Sequence, residues 1–176
     1  MSEIGVMTSP DTLRLERMLP GPIERVWSYL TDGEKRGTWL ASGPMELKKN
    51  GQVRLEFLHA NITEEQIPDR YKEFERGHTL HGIVTECEPP RLLSFTWGDS
   101  PDDSVVTFEL TPQGNDVKLV LTHRRLPAGD ELASIASGWT AHLGVLQDRL
   151  SGVPPRPFWS EHERFEREYA SMLQMH

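Results

Sequence analysis

One cysteine stands in the whole chain, Cys87. No internal disulfide can form, and no Cys/His framework with zinc-ligand spacing exists, so no metal site is expected. No apolar run approaches the roughly 18 residues of a membrane-spanning helix. Residues Met1–Pro10 lack a basic stretch followed by an apolar core, so no secretory leader is expected. Positive charge is in deficit: 19 Lys and Arg against 27 Asp and Glu leave a net charge of −8. A field of that sign repels phosphate backbones and anionic lipid, which argues against nucleic acid and membrane insertion. Catalytic signatures are missing too, with no Gly-x-Ser-x-Gly elbow, P-loop or dinucleotide glycine pattern. Cys87 lies between Glu86 and Glu88, whose charges oppose a reactive thiolate. The expectation is a soluble protein of a reducing compartment, most simply cytoplasmic, without a cofactor.

What is present suffices for one domain. A chain of 176 residues can bury roughly 70% of the surface that its unfolded form exposes. Leu13 and Leu15 alternate with Arg14 and Glu16, which predicts a strand over Thr12–Leu19, stopped by Pro20-Gly21-Pro22. Ile23, Val26, Trp27 and Leu30 then recur at helical spacing. Thr31 and Glu34 read as a capping box that opens a second short helix running to about Leu40. From Met45 to His123 the period becomes two. Strands are predicted near Pro44–Lys48, around Val53–Phe57, near His78–Glu86, and around Leu93–Trp97, Val106–Leu110 and Val117–His123. With the first strand that makes about seven, each with one apolar face.

After Leu126-Pro127 the period returns to 3.6. Leu132, Ile135, Ala136, Trp139, Leu143, Leu146 and Leu150 keep one face over roughly five turns, with Asp130 as the expected N-cap and Ser151-Gly152 as the stop. The predicted organisation is a flexible tail over 1–10, a core domain over 11–152, and a hinge with a docking helix over 153–176. Phe158, Trp159, Phe165 and Tyr169 are available to dock that last helix, predicted over Ser160–Leu173. The charged segment Asn61–Gly77 interrupts the order. Its Ile62, Ile67, Tyr71 and Phe74 leave open a lid over a cavity, a contact in a homodimer, or a plain surface loop.

The order β, α, α, six β, long α describes an α+β helix-grip fold, a curved antiparallel sheet wrapped around a long C-terminal helix. A strongly curved sheet bends away from a straight helix, and the space between them is where a ligand fits. Several stretches, Pro22–Trp27, Glu86–Trp97, Val105–Pro112, Leu119–His123 and Gly138–Leu143, resemble the START-like (SRPBCC) superfamily. That superfamily includes relatives of the birch pollen allergen and polyketide cyclases. The closest likeness is to the branch named for the activator of the heat-shock chaperone ATPase. The resemblance covers about Leu13 to Leu150 and implies the fold. Carriers, cyclases and interaction domains share that fold, so it does not select an activity.

The candidate lining of the cavity is Phe57, Phe95, Trp97, Phe108, Leu121, His123, Trp139, His142 and Leu143. His123 continues the inward row of Leu119 and Leu121, and His142 flanks the inner stripe of the long helix. Either is a candidate acid–base group, against the plainer reading of a hydrogen-bonded packing histidine. His78 and His81, three apart on a strand, point to opposite faces. The leading expectation is a binder of a small hydrophobic molecule. A cofactor-independent cyclase or dehydratase in the same cavity is the alternative. A co-chaperone-like interaction module ranks last, because ten residues before the first strand leave no room for the extra N-terminal domain of the chaperone activators.

Overall fold

A computed structural model describes residues 3–174. Its strands are β1 (Val6–Ser9), β2 (Thr12–Pro20), β3 (Gln52–Phe57), β4 (His78–Glu88), β5 (Leu92–Thr96), β6 (Val105–Gln113) and β7 (Asp116–Arg124). Helices α1 (Ile23–Thr31) and α2 (Gly33–Arg36) follow β2, and α3 (Asp130–Ser151) and α4 (Phe158–Gln174) close the chain. The strands form one antiparallel, curved sheet in the order β1-β2-β7-β6-β5-β4-β3.

Alternation in the sequence becomes a buried face. Leu13, Leu15 and Leu19 of β2 lie beside Val117, Leu119 and Leu121 of β7, and Val106, Phe108 and Leu110 of β6 continue the row. Helix α3 crosses this face with Leu132, Ala136, Trp139, Leu143, Leu146 and Leu150 buried. Burying each such Leu fully contributes about 2 kcal/mol. The helix is covered on its other side as well. Ser137, Thr140, Ala141 and Val145 are also buried there, because α4 packs along α3 with Phe158, Phe165 and Tyr169 inward. A Cβ on Gly144 would stand 2.9 Å from Cδ of Arg156 in the hinge that leads into α4.

Several expectations are corrected. No strand forms at Pro44–Lys48; Met45 and Ser42 make only isolated bridges to Val53 and Glu56. The segment does run along β3, with the Pro44 carbonyl accepting from Arg54 N–H and Glu46 N–H donating to the Gln52 carbonyl, but Pro44 has no N–H to return and Gly43 sits at φ 107°, so no regular ladder forms. Beside it the buried Arg36, 1% exposed, donates to the carbonyls of Ala41, Gly43, Leu30 and Thr31. The seventh strand comes instead from the expected flexible tail. Val6–Ser9 pairs with β2, and the Gly5 amide donates to Tyr169 Oη at 2.7 Å. Asp32, not Thr31, caps α2 by accepting from the amides of Glu34 and Lys35. Gly129 precedes α3, and Asp130 is its first residue. Helix α4 begins two residues earlier than its pattern implies, so Phe158 and Trp159 lie within it.

Candidate functional site

The residues expected to line a cavity do converge, but they fill the space between sheet and helix. The Trp97 ring lies 5.0 Å from Trp139, 5.8 Å from His123, 6.0 Å from Phe57 and 6.3 Å from Phe95, centroid to centroid. Phe108 stands edge-on to Trp139 at 5.8 Å. Leu121 and Leu143, fully buried, belong to the same core. Among the described residues, five clefts of about 250–740 Å³ are lined by other side chains. At the expected lining positions, ring-on-ring contact stands where open space was expected. Tryptophans projecting from both layers occupy the room that the curvature of the sheet creates.

His123 is held on both nitrogens. Its Nδ1 accepts from Trp139 Nε1–H at 2.9 Å, which puts its proton on Nε2, 2.9 Å from Ser104 Oγ. It is fully buried, and burial pushes its pKa down to about 3. A second proton has no place without breaking the bond to Trp139. That geometry suits a packing histidine and leaves no nitrogen free for acid–base work.

His142 differs. Its Nδ1–H donates to the Trp39 carbonyl at 2.7 Å, so the unprotonated nitrogen is Nε2, with no hydrogen-bond partner among the described residues. Burial, reinforced by the neighbouring His59, lowers its pKa to about 3. Its ring lies 4.7 Å from Phe158 and 6.1 Å from His59. His59 in turn lies 4.7 Å from Trp159 and 6.4 Å from His78. His78 stacks on Phe57 at 4.7 Å and meets Phe74 at 4.8 Å. His78 is exposed at the rim of this group, and His81 is exposed opposite Arg54. His59 is lowered to about 4, chiefly by burial and then by His78 and His162. The cluster is a set of neutral imidazoles among aromatic rings.

The charged segment roofs this cluster. Two 3₁₀ turns, His59–Asn61 and Asp69–Phe74, shape it. Ile62 and Ile67 are buried, and Tyr71 stacks on Trp159 at 5.2 Å. Polar contacts tie it to the start of α4. Arg70 pairs with Glu166, the Ser160 amide donates to Glu65, and the Phe158 amide donates to Thr63 Oγ1. Glu166 also stands 2.9 Å from His162 Nδ1. On either side of the segment lies an unfilled cleft. One, of about 570 Å³, runs between Gln66–Arg70 and Trp159, Glu163 and Arg167. The other, of about 480 Å³, runs between Ala60–Glu65 and Arg149 and the Pro154–Pro157 hinge.

Sequence reasoning found Phe57 and His142 but missed His59, His78, Phe158 and Trp159 as their companions. The only signal was four apolar residues inside a charged stretch, and aromatics just past the hinge. The largest cleft, about 740 Å³, lies elsewhere, between Met7–Pro10, the first turn of α3 and the last of α4. Among the described residues, no His/Cys/Asp/Glu cluster fit for a metal occurs, and no helix is long and apolar enough to cross a membrane. His176 falls outside the described residues.

Comparison with known proteins follows this geometry. The family model described as "Activator of Hsp90 ATPase homolog 1-like protein" matches residues 20–151. A Bordetella parapertussis protein solved in solution is 41% identical, with a TM-score of 0.81, over 94% of this chain and 88% of that one. CalU16 of Micromonospora echinospora is 20% identical with a TM-score of 0.67, over 93% of this chain and 88% of that one. DynU16, from the dynemicin biosynthetic locus, is 24% identical with a TM-score of 0.64, over 83% of this chain and 49% of that one. No curated protein matches.

Proposed function

The chain belongs to the Activator of Hsp90 ATPase homolog 1-like family, and on that premise we propose that it binds a small, mostly hydrophobic molecule beneath segment 58–77, the β3–β4 connection that contains the charged stretch Asn61–Gly77. One observation carries the reading: the segment covers an aromatic and histidine cluster with its apolar side, yet an unfilled cleft flanks it on each edge. A roof that rests on a few polar contacts can lift without unfolding the sheet. The molecule then displaces ring-on-ring contacts with its own apolar surface, at roughly 25 cal/mol per Å² before ordering costs. The site needs no cofactor for this.

A second reading, a cyclase- or dehydratase-type enzyme, draws support from the free Nε2 of His142 beside that cluster. At a pKa near 3 this imidazole is a far weaker base than a solvated one, so binding is the reading we put first. If a bound molecule is turned over, His142→Gln should lower the rate by about 10²–10⁴.

Native mass spectrometry of the purified chain, with thermal shifts against fatty acids, phenols and polyketides, tests the binding reading. A retained species, or a rise of roughly 5–10 °C at about a hundredfold excess over Kd, is the expected result. No species and no shift across all three classes would falsify it.

A further inference from the structure

Three buried nitrogens in and under segment 58–77 lack a well-formed hydrogen bond among the described residues: His59 Nδ1, Trp159 Nε1 and His162 Nδ1, and of these only His162 Nδ1 has a polar neighbour, Glu166 at 2.9 Å. Trp159 is 7% exposed. Its ring and that of His59 are 4.7 Å apart, centroid to centroid, so both atoms belong to neighbouring rings of one cluster walled by Phe74 and Phe158. Two other buried indoles are paired: Trp39 Nε1 donates to the Tyr29 carbonyl and Trp139 Nε1 to His123. Buried groups left unpaired lose their hydration without return and are rare in folded proteins.

The chemistry of the missing partner follows from the donors. An indole N–H can only donate, so it calls for an acceptor, and a neutral imidazole nitrogen accepts or donates according to tautomer. A carboxylate fits poorly. Glu65, Asp69, Glu163 and Glu166 outnumber Arg70 and Arg167 around the cleft beside Trp159, Arg70 is already paired with Glu166, and the desolvation of a charge costs more than that of a neutral oxygen. The neighbouring surfaces are the faces and edges of rings, which favour a flat ring in offset or edge contact.

Resting on the binding reading above, we propose that the molecule taken up here is a flat aromatic bearing a neutral hydroxyl or carbonyl oxygen, which accepts from Trp159 Nε1–H and pairs with His59 Nδ1. The ring displaces Tyr71 from the face of Trp159 as the segment lifts, and the oxygen sets its orientation.

Three probes of similar size separate the terms: 1-naphthol, 1-acetonaphthone and naphthalene, titrated into the full chain and followed in ¹H–¹⁵N spectra of the indole groups. Either oxygenated probe should bind about tenfold more tightly than naphthalene. It should also move the Trp159 indole N–H signal downfield, which naphthalene should not. Trp159→Phe keeps a ring and removes the N–H, so within that variant the preference for either oxygenated probe over naphthalene should shrink to within about twofold, whatever the change in overall affinity. Equal affinity for all three probes in the native chain, or a preference that survives Trp159→Phe, overturns the inference. Should that variant fail to fold, the indole shift in the native chain decides alone. If naphthalene binds as well as the others, only this assignment falls. If no probe and no member of the wider hydrophobic panel binds, the binding reading falls with it.

Discussion

Two histidine-centred regions flank the middle of α3, joined through Trp97, which lies 5.8 Å from His123 and 6.0 Å from Phe57 beside His142. They share burial, aromatic neighbours and a lowered pKa. They differ in completeness. Both nitrogens of His123 are paired, one to Trp139 on α3 and one to Ser104 in the loop before β6. Around His142 and His59, buried nitrogens stand unpaired and a segment between two clefts makes the wall. A buried polar group with all its bonds made specifies a fold. One without them, beneath a removable roof, is where a ligand can add something.

The broadest test of what the two regions share is acid. His123, His142 and His59 have folded pKa values of about 3, 3 and 4 against 6.5 for the unfolded chain. Above 6.5 neither state binds the proton, and stability does not depend on these groups. Below 6.5 the unfolded chain takes up protons that the folded chain refuses, so stability falls as pH falls, up to tenfold in the folding equilibrium per pH unit and per group. Circular dichroism melts should show a drop on the order of 10 °C between pH 7 and 5. Asp148, held low by Arg156, loses its contribution only in the more acid range below the usual carboxylate pKa. A melting temperature flat down to pH 5 would mean that these imidazoles are hydrated rather than sealed.

Next in size is a matched pair of substitutions. Trp139→Phe keeps most of the ring but leaves His123 Nδ1 without its donor, and should cost about 1–3 kcal/mol, or several degrees in Tm. Trp159→Phe removes an N–H that is already unpaired, so its cost should be smaller, and near zero if packing is kept. Urea denaturation of both variants gives the comparison directly. Equal losses would erase the difference between the two regions.

How much of this was legible beforehand differs along the same divide. The sheet and α3 announce themselves through local periods: Leu119, Leu121 and His123 alternate on one strand, and Leu132, Ala136, Trp139 and Leu143 repeat on one helix. The packing side of that face follows from pattern alone. The roofed cluster does not. It joins His59 and His78 to Phe158 and Trp159 across roughly a hundred residues, and nothing local in an irregular charged segment encodes such a meeting. The displaced strand shows the same limit. Pro44–Lys48 carries a fair pattern, but Pro44 has no N–H to give the ladder and Gly43 turns the chain at φ 107°. Val6–Ser9 carries a poor pattern, yet it gains a partner because Tyr169 on α4 holds the Gly5 amide. Pattern reports faces; it does not report which distant polar group will claim a backbone.

The smallest expected effect bears on the roof itself. Arg70 reaches from segment 58–77 to Glu166 on α4, and its guanidinium lies 4.8 Å over the Tyr71 ring that covers Trp159. The pair is half exposed, so Arg70→Ala should change global stability by less than about 1 kcal/mol. The latch is nonetheless local. Without it the segment keeps the burial of Ile62 and Ile67 but loses its tie near Tyr71, and opening there becomes easier while the sheet stays as it was. Hydrogen exchange should then quicken several-fold over residues 69–77 and stay unchanged in β2 and β7. Association of a hydrophobic probe should quicken in parallel, since a molecule that enters beneath the segment waits on its opening. Faster exchange with an unchanged association rate would show that the segment moves but is not the way in, and would shift attention to the cleft between Met7 and Leu132.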